Sequence, residues 1–398
     1  MRIAIFWAHI QHYHAARIAG LIAEARRGGD EVVAFALGAG SRGLPAPGYE
    51  ELLGDRIAVL SPGPCDADVY ASAVAARRIV RKLDEAAPDA VAIPGYDHRA
   101  ARTALGWCRR ARRGAVLMSE SQASDYPRSR AREFAKRRIV SLYDAALVGG
   151  TRHVEYARQL GLPPECIFTG YDVVDNAFWG READAVRADP AQWRARLGVP
   201  ERFVLAACRF VPKKNVLGLI REYAAAARRM GANAWPMVLV GAGPDERAIV
   251  QAIREAGLER SIRLPGYLRA EELVRYYALA SVFVLASARS EQWGLVVNEA
   301  MACGTPAFVS RVCGCVPDLV EEGVTGYSFD PARDGELADL LTRAGSMDLA
   351  GMGAAARRRV AALSPERFGR NLVQAARMAV ERASSRPRIA FPPPAWWR

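Results

Sequence analysis

Short apolar segments alternate with longer segments of helical periodicity through the first half of the chain. Buried strands are predicted where the apolar runs are short and bounded by turn residues. The predicted strands are 2–8, 31–37, 56–60, 90–95, 114–119 and 145–150, and the predicted helices are 15–27, 70–85, 99–111, 129–141 and 151–160. This alternation is typical of a doubly wound α/β domain with a parallel sheet.

The second half repeats the pattern after an interruption. Strand character is lost between residues 173 and 200, and a new alternation runs from Phe203 to about residue 360. We therefore expect two Rossmann-like domains, 1–178 and 201–363, joined by a linker at 179–200. A helix is predicted at 364–384, after a serine cap with proline in the first helical position. Residues 385–398 form a tail rich in proline and tryptophan.

Composition places the chain among ordinary globular proteins. Its 398 residues are 51% hydrophobic and 25% charged, which suffices for two cores. The seven cysteines form an odd number without a CxxC pair, a usage typical of a reducing compartment. The N-terminus turns polar at Gln11 and resembles a first strand more than a signal peptide. No apolar run approaches 18 residues, so a soluble, cytoplasmic protein is expected.

The chain is basic, with a formal net charge of +12 and a pI near 9.6. Such a charge suits nucleic acid, anionic membranes or phosphorylated substrates. The densest block, 128–138, has six basic residues and one acid at helical spacing. It could lie on an anionic membrane, although a solvated helix face is the favoured alternative. No interleaving of aromatic and basic residues supports a nucleic-acid partner.

Two glutamates mark a candidate binding site in the second half. Glu291 and Glu299 stand between apolar strands predicted at 282–286 and 307–309, with Glu291 in a loop and Glu299 inside a helix. Ligands of open α/β sheets bind beyond the carboxyl ends of strands, and the N–H groups of the helix start at 292–295 attract hydroxyl oxygens or anions. One carboxylate can bind sugar hydroxyls and the other ribose hydroxyls. On their own, the two glutamates suit either a nucleotide-sugar pocket or a capped surface loop with a satisfied helix glutamate.

Lysine usage points to a phosphate site nearby. The chain has four lysines against 51 arginines, and two of the four are the adjacent Lys213 and Lys214. In a chain that otherwise uses arginine, a compact ammonium suggests a point charge on phosphate. The alternative is a solvated helix start, which suits Lys213 better than Lys214.

The motifs of the second half resemble one known family. The segment SEQWGLVVNEAMACGTPAFVS is similar to the Glu-x7-Glu segment of the retaining GT-B glycosyltransferases of family 4. Matching segments precede it in order: ACRFVPKKNVLGLIREY, MVLVGAGPDE, IRLPGYL and ELVRYYALASVFVLAS. The resemblance covers nearly the whole chain. It implies two Rossmann-like domains facing across a cleft, with the last helix crossing back to the first domain.

The resemblance also implies a reaction and its residues. A sugar would pass from a nucleoside diphosphate to a hydroxyl or amine with retained anomeric configuration, without a bound cofactor or metal. Arg209 and Lys214 would contact the diphosphate, Glu299 the ribose and Glu291 the sugar. Further donor-binding positions are Gly241, Tyr267, Gln292, Trp293, Gly294 and Leu295. Family members often carry glycine and phenylalanine where Gln292 and Trp293 stand, so no relative identifies the donor.

Histidines after the first strand are candidates for the acceptor side. His9, His12 and His14 have an HxxHxH spacing, but no carboxylate or cysteine lies nearby in sequence to complete a metal site. We expect this loop to face the cleft. One subgroup of the family resembles residues 13–17, which implies that His14 contacts sugar or acceptor, with His12 a weaker candidate.

Other strand ends carry further candidates. Glu120 stands where many relatives have a cleft histidine, and it could take that role beside the reacting carbon. A solvent-facing loop glutamate is the alternative. His98 follows another predicted strand and is a weaker candidate. Asp172 and Asp175 are expected to shape the hinge.

Three other functions compete with glycosyl transfer. A GxGxxG pattern at Gly38, Gly40 and Gly43 invites a dinucleotide site, but a proline-bearing segment follows where a helix should start. The same fold could serve a phosphorylase or coupling enzyme that uses a sugar phosphate. The chain could also bind nucleotide sugars without turnover. For a transferase, the expected acceptor is a small-molecule natural product or a surface glycan.

Overall fold

The computed structural model of the protein describes residues 1–38, 54–61, 63 and 70–386. The chain forms two compact units. Unit 1 comprises Met1–Ala123, Pro127–Val174 and Leu363–Arg398, and unit 2 comprises Ser124–Tyr126 and Asp175–Ala362. Gly40 and Gly43 of the glycine-rich pattern, and the tail from residue 387, lie outside the described residues.

Unit 1 is built on a parallel sheet that has seven strands among the described residues. They are β1 (Arg2–Trp7), β2 (Glu31–Ala36), β3 (Ile57–Val59), β4 (Ala90–Pro94), β5 (Gly114–Ser119), β6 (Ala145–Val148) and β7 (Ile167–Thr169). Their order is β3-β2-β1-β4-β5-β6-β7, and the reversal beside β1 is the switch point of a doubly wound sheet. The six predicted strands are present. The seventh, β7, was missed because its three residues are only half-buried.

Helices flank this sheet in the positions that the hydrophobic pattern predicts. They are α1 (His12–Arg27), α2 (Ala73–Ala86), α3 (Arg99–Ala111), α4 (Arg130–Val140) and α5 (Thr151–Gln159). The predicted start of α1 was wrong by three residues. The helix begins earlier because the backbone N–H of Gln11 donates to His14 Nδ1 at 3.2 Å, which caps the first turn. His12 and His14 are therefore helical, and only His9 of the three histidines lies in the loop.

Unit 2 contains the second parallel sheet. Its strands are β8 (Val204–Ala207), β9 (Met237–Val240), β10 (Ile262–Gly266), β11 (Val282–Leu285), β12 (Ala307–Ser310) and β13 (Gly326–Phe329), in the order β10-β9-β8-β11-β12-β13. Each of these strands carries apolar residues buried against flanking helices, as expected of a sheet covered on both faces.

The segment predicted as a linker, 179–200, is largely helical and belongs to unit 2. It holds most of α6 (Asn176–Ala188) and all of α7 (Pro190–Leu197). Asp175 caps α6 by accepting from the backbone N–H of Phe178 at 2.9 Å. Trp179 then anchors α6, since its side chain is 1% exposed and its ring lies edge-on to Tyr277 at 5.6 Å. The sequence pattern missed this because few apolar positions fix the segment.

The remaining helices complete unit 2 and return the chain to unit 1. Those of unit 2 are α8 (Val216–Met230), α9 (Glu246–Glu255), α10 (Ala270–Leu279), α11 (Leu295–Ala302), α12 (Val316–Leu319), α13 (Glu336–Arg343) and α14 (Leu349–Ala361). The last helix, α15 (Pro365–Ser384), packs on α1 inside unit 1. A Cβ atom at Gly20 would overlap the Pro365 carbonyl oxygen, and one at Gly369 would overlap the Gly20 carbonyl oxygen. Glycine therefore permits this close packing.

No helix in the described ranges is both long and apolar enough to span a membrane.

Candidate functional site

The predicted donor-binding residues follow neighbouring strands of unit 2. Strands β10, β9, β8 and β11 are adjacent and parallel, so the segments after them lie at one edge of the sheet. These segments carry Arg209, Lys214, Gly241, Tyr267 and Glu291. Glu299 lies just beyond, on α11. The fold thus places the predicted set on one edge of one unit.

Lys214 and Glu291 form an ion pair at this edge. Lys214 ends the 3₁₀ turn Pro212–Lys214, and its Nζ contacts Glu291 Oε2 with side chains only 13% and 9% exposed. Ser287 Oγ donates to the same Glu291 oxygen at 2.7 Å. Burial alone would raise the pKa of Glu291, but the Lys214 ammonium and the Ser287 hydroxyl outweigh it and lower the pKa. The pair is therefore a fixed, charged group at neutral pH.

The adjacent lysine has a different environment. Lys213 Nζ donates to the carbonyl oxygen of Ser290 at 3.3 Å, and its own carbonyl accepts from the N–H of Ala288 at 2.9 Å. Lys213 therefore fastens the loop before Glu291, whereas Lys214 contacts the carboxylate itself. The two neighbours provide a matched comparison for experiments.

Glu299 is buried at the same edge and has a fixed partner. Its side chain is 5% exposed, and the Tyr277 hydroxyl donates to Oε2 at 3.1 Å. Burial, and then the charge of Glu299, raise the pKa of Tyr277 well above its ordinary value, so the phenol remains a donor. Nothing in the sequence pattern identifies Tyr277 as this partner. Ser287, by contrast, lies four residues before Glu291 in the same predicted loop.

The segment before α11 turns sharply. Gly294 has φ +107°, and a Cβ atom there would lie 2.8 Å from Leu285 Cδ2, so the turn needs glycine. The Trp293 side chain is 2% exposed, and its Nε1–H donates to Asn298 Oδ1 at 2.8 Å. Because this indole belongs to the core, Trp293 can meet a ligand only through its backbone. Gln292 and Leu295 are half-buried.

The loop after β9 lies directly against the loop after β8. Gly241 has φ +150° and Gly243 has φ +157°. A Cβ atom at Gly241 would overlap the Cys208 carbonyl oxygen, and one at Gly243 would overlap the Phe210 carbonyl oxygen. Arg209 is exposed next to this contact, and Tyr267 is 51% exposed after β10. These exposed groups remain accessible to a ligand.

The candidates in unit 1 are divided between buried and exposed positions. His14 is buried with its ring stacked on Trp7 at 4.6 Å between centroids. Burial, and then the Arg17 guanidinium, lower the pKa of His14 well below its ordinary value, so the imidazole is neutral. His12 is exposed. His98 precedes α3, with its ring edge-on to Tyr70 at 5.1 Å.

A buried Arg17–Asp172 ion pair lies near Glu120, and the sequence did not reveal it. Arg17 Nη2 lies 3.4 Å from Asp172 Oδ1, and both side chains are 0% exposed. Burial, and then the nearby charge of Glu120, raise the pKa of Asp172 well above its ordinary value. Asp172, which was predicted to shape a hinge, has its side chain buried against Arg17 inside unit 1. One feature of the sequence could have indicated this ion pair. Arg17 lies four positions before Leu21, on the apolar face of α1, where a buried arginine needs a charged partner.

Within the described ranges, no three His, Cys, Asp or Glu side chains cluster as ligands for a metal ion.

The sequence of unit 2 matches a known family. Residues 190–359 match the family described as glycosyl transferases group 1. The matched range lies within unit 2. The matched range includes the Lys214–Glu291 pair and Glu299, so it contains the edge of the sheet described above.

Two curated proteins resemble the chain at low identity. The chain is 26% identical over 188 residues to the N-acetyl-alpha-D-glucosaminyl L-malate synthase of Bacillus anthracis. The matched region covers 47% of this chain and 46% of the relative. The chain is also 32% identical over 189 residues to the GDP-mannose-dependent alpha-(1-6)-phosphatidylinositol monomannoside mannosyltransferase of Mycolicibacterium smegmatis. That matched region covers 43% of this chain and 49% of the relative. The chain thus spans about half the length of these relatives.

Similarity to solved structures confirms the GT-B fold. Anabaena HepE, solved in complex with UDP and glucose, has a TM-score of 0.69 and 20% identity, and the match covers 97% of this chain and 100% of that one. The predicted pair of Rossmann-like domains is therefore confirmed. Fixed cations and buried carboxylates at the carboxyl edge of a sheet can bind an anionic ligand that also carries hydroxyl groups.

Proposed function

We propose that this chain transfers a sugar from a nucleoside diphosphate donor to a hydroxyl or amine of an acceptor, with retained anomeric configuration. The observation that carries the proposal is the buried Lys214–Glu291 pair at the carboxyl edge of the unit 2 sheet, with Glu299 on the adjacent helix. Relatives support the choice of donor. HepE was solved with UDP and with UDP-glucose, and the mycobacterial relative is named as GDP-mannose-dependent.

The cations of unit 2 would stabilise the leaving group. Departure of the sugar builds negative charge on the β-phosphate, and fixed cations placed there lower the barrier without reorganising. The Lys214 ammonium has three N–H donors, so the bond to Glu291 leaves donors for phosphate. Arg209 is exposed and supplies a second cation. Because these residues provide the positive charge, we propose turnover without a bound metal; loss of turnover in EDTA would contradict this.

The carboxylates would orient the donor. Tyr277 donates to one oxygen of Glu299, and carboxylate oxygens have further lone pairs that can accept from ribose hydroxyls. Glu291, held by Lys214 and Ser287, would accept from sugar hydroxyls. The backbone N–H groups from Trp293 to Leu295 would add donors to the sugar. The protein then acts mainly through orientation and electrostatics.

Retention needs no protein nucleophile in this mechanism. The acceptor attacks from the face that the diphosphate leaves, and a phosphate oxygen takes the acceptor proton. His14 and Glu120 of unit 1 are proposed to contact the sugar or the acceptor, with His12 and His98 as weaker candidates. The anomeric configuration of the product, measured by NMR coupling constants, decides between retention and inversion.

Calorimetric titration of UDP, GDP, dTDP and ADP tests the donor site. We expect one nucleotide to bind selectively, and Lys214→Ala to weaken its binding by about 10-fold to 100-fold, because a hydrogen bond to a charged group contributes about 1.5–3 kcal/mol. Lys213→Ala is the matched control, since Lys213 bonds only to loop backbone in the contacts described above. Equal losses in both variants, or binding of none of the four nucleotides, would contradict the donor site.

Dependence on free phosphate would distinguish a phosphorylase or coupling enzyme from the proposed transferase. A phosphorylase or coupling enzyme would require inorganic phosphate or a sugar phosphate and would be indifferent to nucleotides. Nucleotide binding without consumption of the nucleotide sugar, over a panel of hydroxyl and amine acceptors, would identify a silent binder.

We also propose that α4 contacts an anionic membrane during acceptor recognition. Among its residues only Val140 is buried, and Phe134 is 63% exposed beside the Arg138 guanidinium, 5.8 Å from its ring centroid. An exposed apolar ring among arginines suits an anionic interface. Co-sedimentation with phosphatidylserine vesicles, but not with phosphatidylcholine vesicles, is expected and should fall in Phe134→Ser. Equal sedimentation with both lipids would contradict this contact.

A further inference from the structure

A large cavity of unit 2 lies at the opposite edge of the sheet from the proposed donor residues. Its volume is about 1000 Å³, at the upper end of the range of about 300–1,000 Å³ that is usual for small-molecule sites. Residues that shortly precede four adjacent strands line it: Arg202 before β8, Trp235 before β9, Ser281 before β11 and Pro306 before β12. Because the strands are parallel, the cavity lies at their amino ends, whereas Lys214 and Glu291 follow carboxyl ends.

Arginines dominate the charged lining of this cavity. They come from α6, α7, α14 and the segment before β8, and they are Arg187, Arg194, Arg202, Arg357 and Arg358. The lining carboxylates are Asp184, Glu201 and Asp348. Five arginines against three carboxylates give the lining a formal net charge of +2.

Two of the three carboxylates already have partners inside the protein. Asp184 accepts two hydrogen bonds from Arg357, one from each terminal nitrogen, both at 2.7 Å. Asp348 caps α14 by accepting from the backbone N–H of Gly351 at 2.9 Å. Arg357 and Asp184 therefore neutralise each other, and the positive charge of the cavity comes from the other four arginines.

Those four arginines form no ion pair within the residues that the structure describes. Arg194 Nη2 donates to the carbonyl oxygen of Glu201 at 3.4 Å, but Arg194 Nε is buried without an acceptor. Buried N–H groups are normally hydrogen-bonded, so a ligand oxygen would satisfy this donor. Arg187 lies at the carboxyl end of α11, since a Cβ atom at Gly304 would be 3.5 Å from Arg187 Nη1. A cation is favoured there, yet in the described ranges this guanidinium donates no hydrogen bond to a carbonyl.

An aromatic ring and apolar side chains form the rest of the wall. Trp235 is half-buried, and the Arg202 guanidinium lies 5.5 Å from its ring centroid. Leu279 and Met347 also line the cavity. Such a wall suits the organic part of a ligand, whereas guanidinium groups match the geometry of phosphate. A phosphate monoester carries a charge of about −1.5 to −2 at pH 7, which complements the charge of the lining.

We propose that this cavity binds a small organic phosphate monoester at a site separate from the donor site. The unpaired arginines bind the phosphate, and the organic part lies against Trp235. The site does not rest on the proposed function, because none of the proposed donor residues lines the cavity.

Calorimetric titration with phenyl phosphate, inorganic phosphate and phenol tests this site. Phenyl phosphate should bind wild type saturably and more tightly than inorganic phosphate, and phenol should not bind. Arg187→Gln and Arg194→Gln should each weaken phenyl phosphate binding about 10-fold, as expected for loss of a charge-assisted hydrogen bond. Trp235→Leu should weaken binding of phenyl phosphate and leave that of inorganic phosphate within two-fold.

Two control variants keep the site distinguishable from net charge and from the donor site. Arg260→Gln removes one charge at an exposed position of unit 2 outside the cavity lining, and Lys214→Ala alters the donor site. Phenyl phosphate should bind both within two-fold of wild type. Thermal melting of each variant verifies that it is folded at the temperature of the titration.

Four outcomes would overturn the proposal. Absence of saturable binding of phenyl phosphate to wild type would show that the cavity does not bind a phosphate monoester. An equal loss in Arg260→Gln would show that net charge alone is responsible. Loss in Lys214→Ala, with both arginine variants unaffected, would assign the ligand to the donor site. Unchanged binding of phenyl phosphate in Trp235→Leu would contradict the placement of the organic part.

Discussion

Glu299 has the contacts expected of a residue that binds ribose and is held in place before the donor binds. It is buried, it accepts from Tyr277, and it lies one turn into α11. Lys214 differs because it is a cation paired with a carboxylate at the start of another helix. The two residues should therefore bind different parts of one ligand, the nucleoside and the diphosphate.

Substitutions can separate these two contributions. Glu299→Gln keeps an oxygen that accepts from Tyr277 but removes the charge. The nucleoside diphosphate that binds wild type should therefore bind about 10-fold more weakly, as expected for loss of a charge-assisted hydrogen bond. Inorganic diphosphate has no ribose, and its binding should be unchanged in Glu299→Gln but weakened in Lys214→Ala. Calorimetry with both ligands measures this. Equal loss of diphosphate binding in Glu299→Gln would contradict the assignment to ribose.

His14 makes stability depend on pH. Because its pKa is lowered by folding, the unfolded chain takes up a proton below about pH 6.5 that the folded chain refuses. Stability should therefore fall as pH drops from about 6.5. His14→Asn retains an oxygen that can accept from the Gln11 N–H but cannot titrate, so its Tm relative to wild type should increase from pH 7 to pH 5. A constant difference across this range would show that His14 does not titrate on unfolding.

Glycines determine how closely the elements of the donor site approach. Gly241→Ala should destabilise unit 2 by more than about 3 kcal/mol, because it combines a backbone conformation open chiefly to glycine with overlap on the Cys208 carbonyl. Gly257→Ala is the control. Gly257 has φ +65° with no atom within 4 Å of its Cβ position, so that variant should lose only about 1 kcal/mol. Urea unfolding measures both, and similar losses would contradict the role of close approach.

Local pattern predicted the elements where burial is strong and continuous. The buried strands β1, β4, β5 and β6 and the start of α15 follow from apolar runs and a serine cap. The start of α1 could not be predicted in this way, because it depends on one hydrogen bond from the Gln11 backbone N–H to His14 Nδ1. The hydrogen bonds of Tyr277 and Asp172 are contacts between segments distant in sequence, which neither periodicity nor spacing encodes.

Unit 1 contains both α1 and α15, the first and the last helix of the part of the chain that the structure describes. Packing between these two helices should affect the stability of unit 1 and leave the ligand-binding groups of unit 2 unchanged. The first helix and the last, α1 and α15, pack through Gly20 and Gly369. The proposed donor residues all belong to the other unit. Damage to the α1–α15 contact should therefore lower stability without altering the groups that bind the nucleotide.

Gly369→Ala tests this separation. Alanine favours an isolated helix by about 1 kcal/mol over glycine, but here its Cβ would overlap the Gly20 carbonyl oxygen. We expect a net loss of more than about 2 kcal/mol of stability, while the nucleotide Kd below the melting transition stays within two-fold. Gly161→Ala, with no atom within 4 Å of its Cβ position, controls for backbone strain elsewhere in unit 1. A large loss of nucleotide affinity in Gly369→Ala would show that the donor site depends on the packing of unit 1.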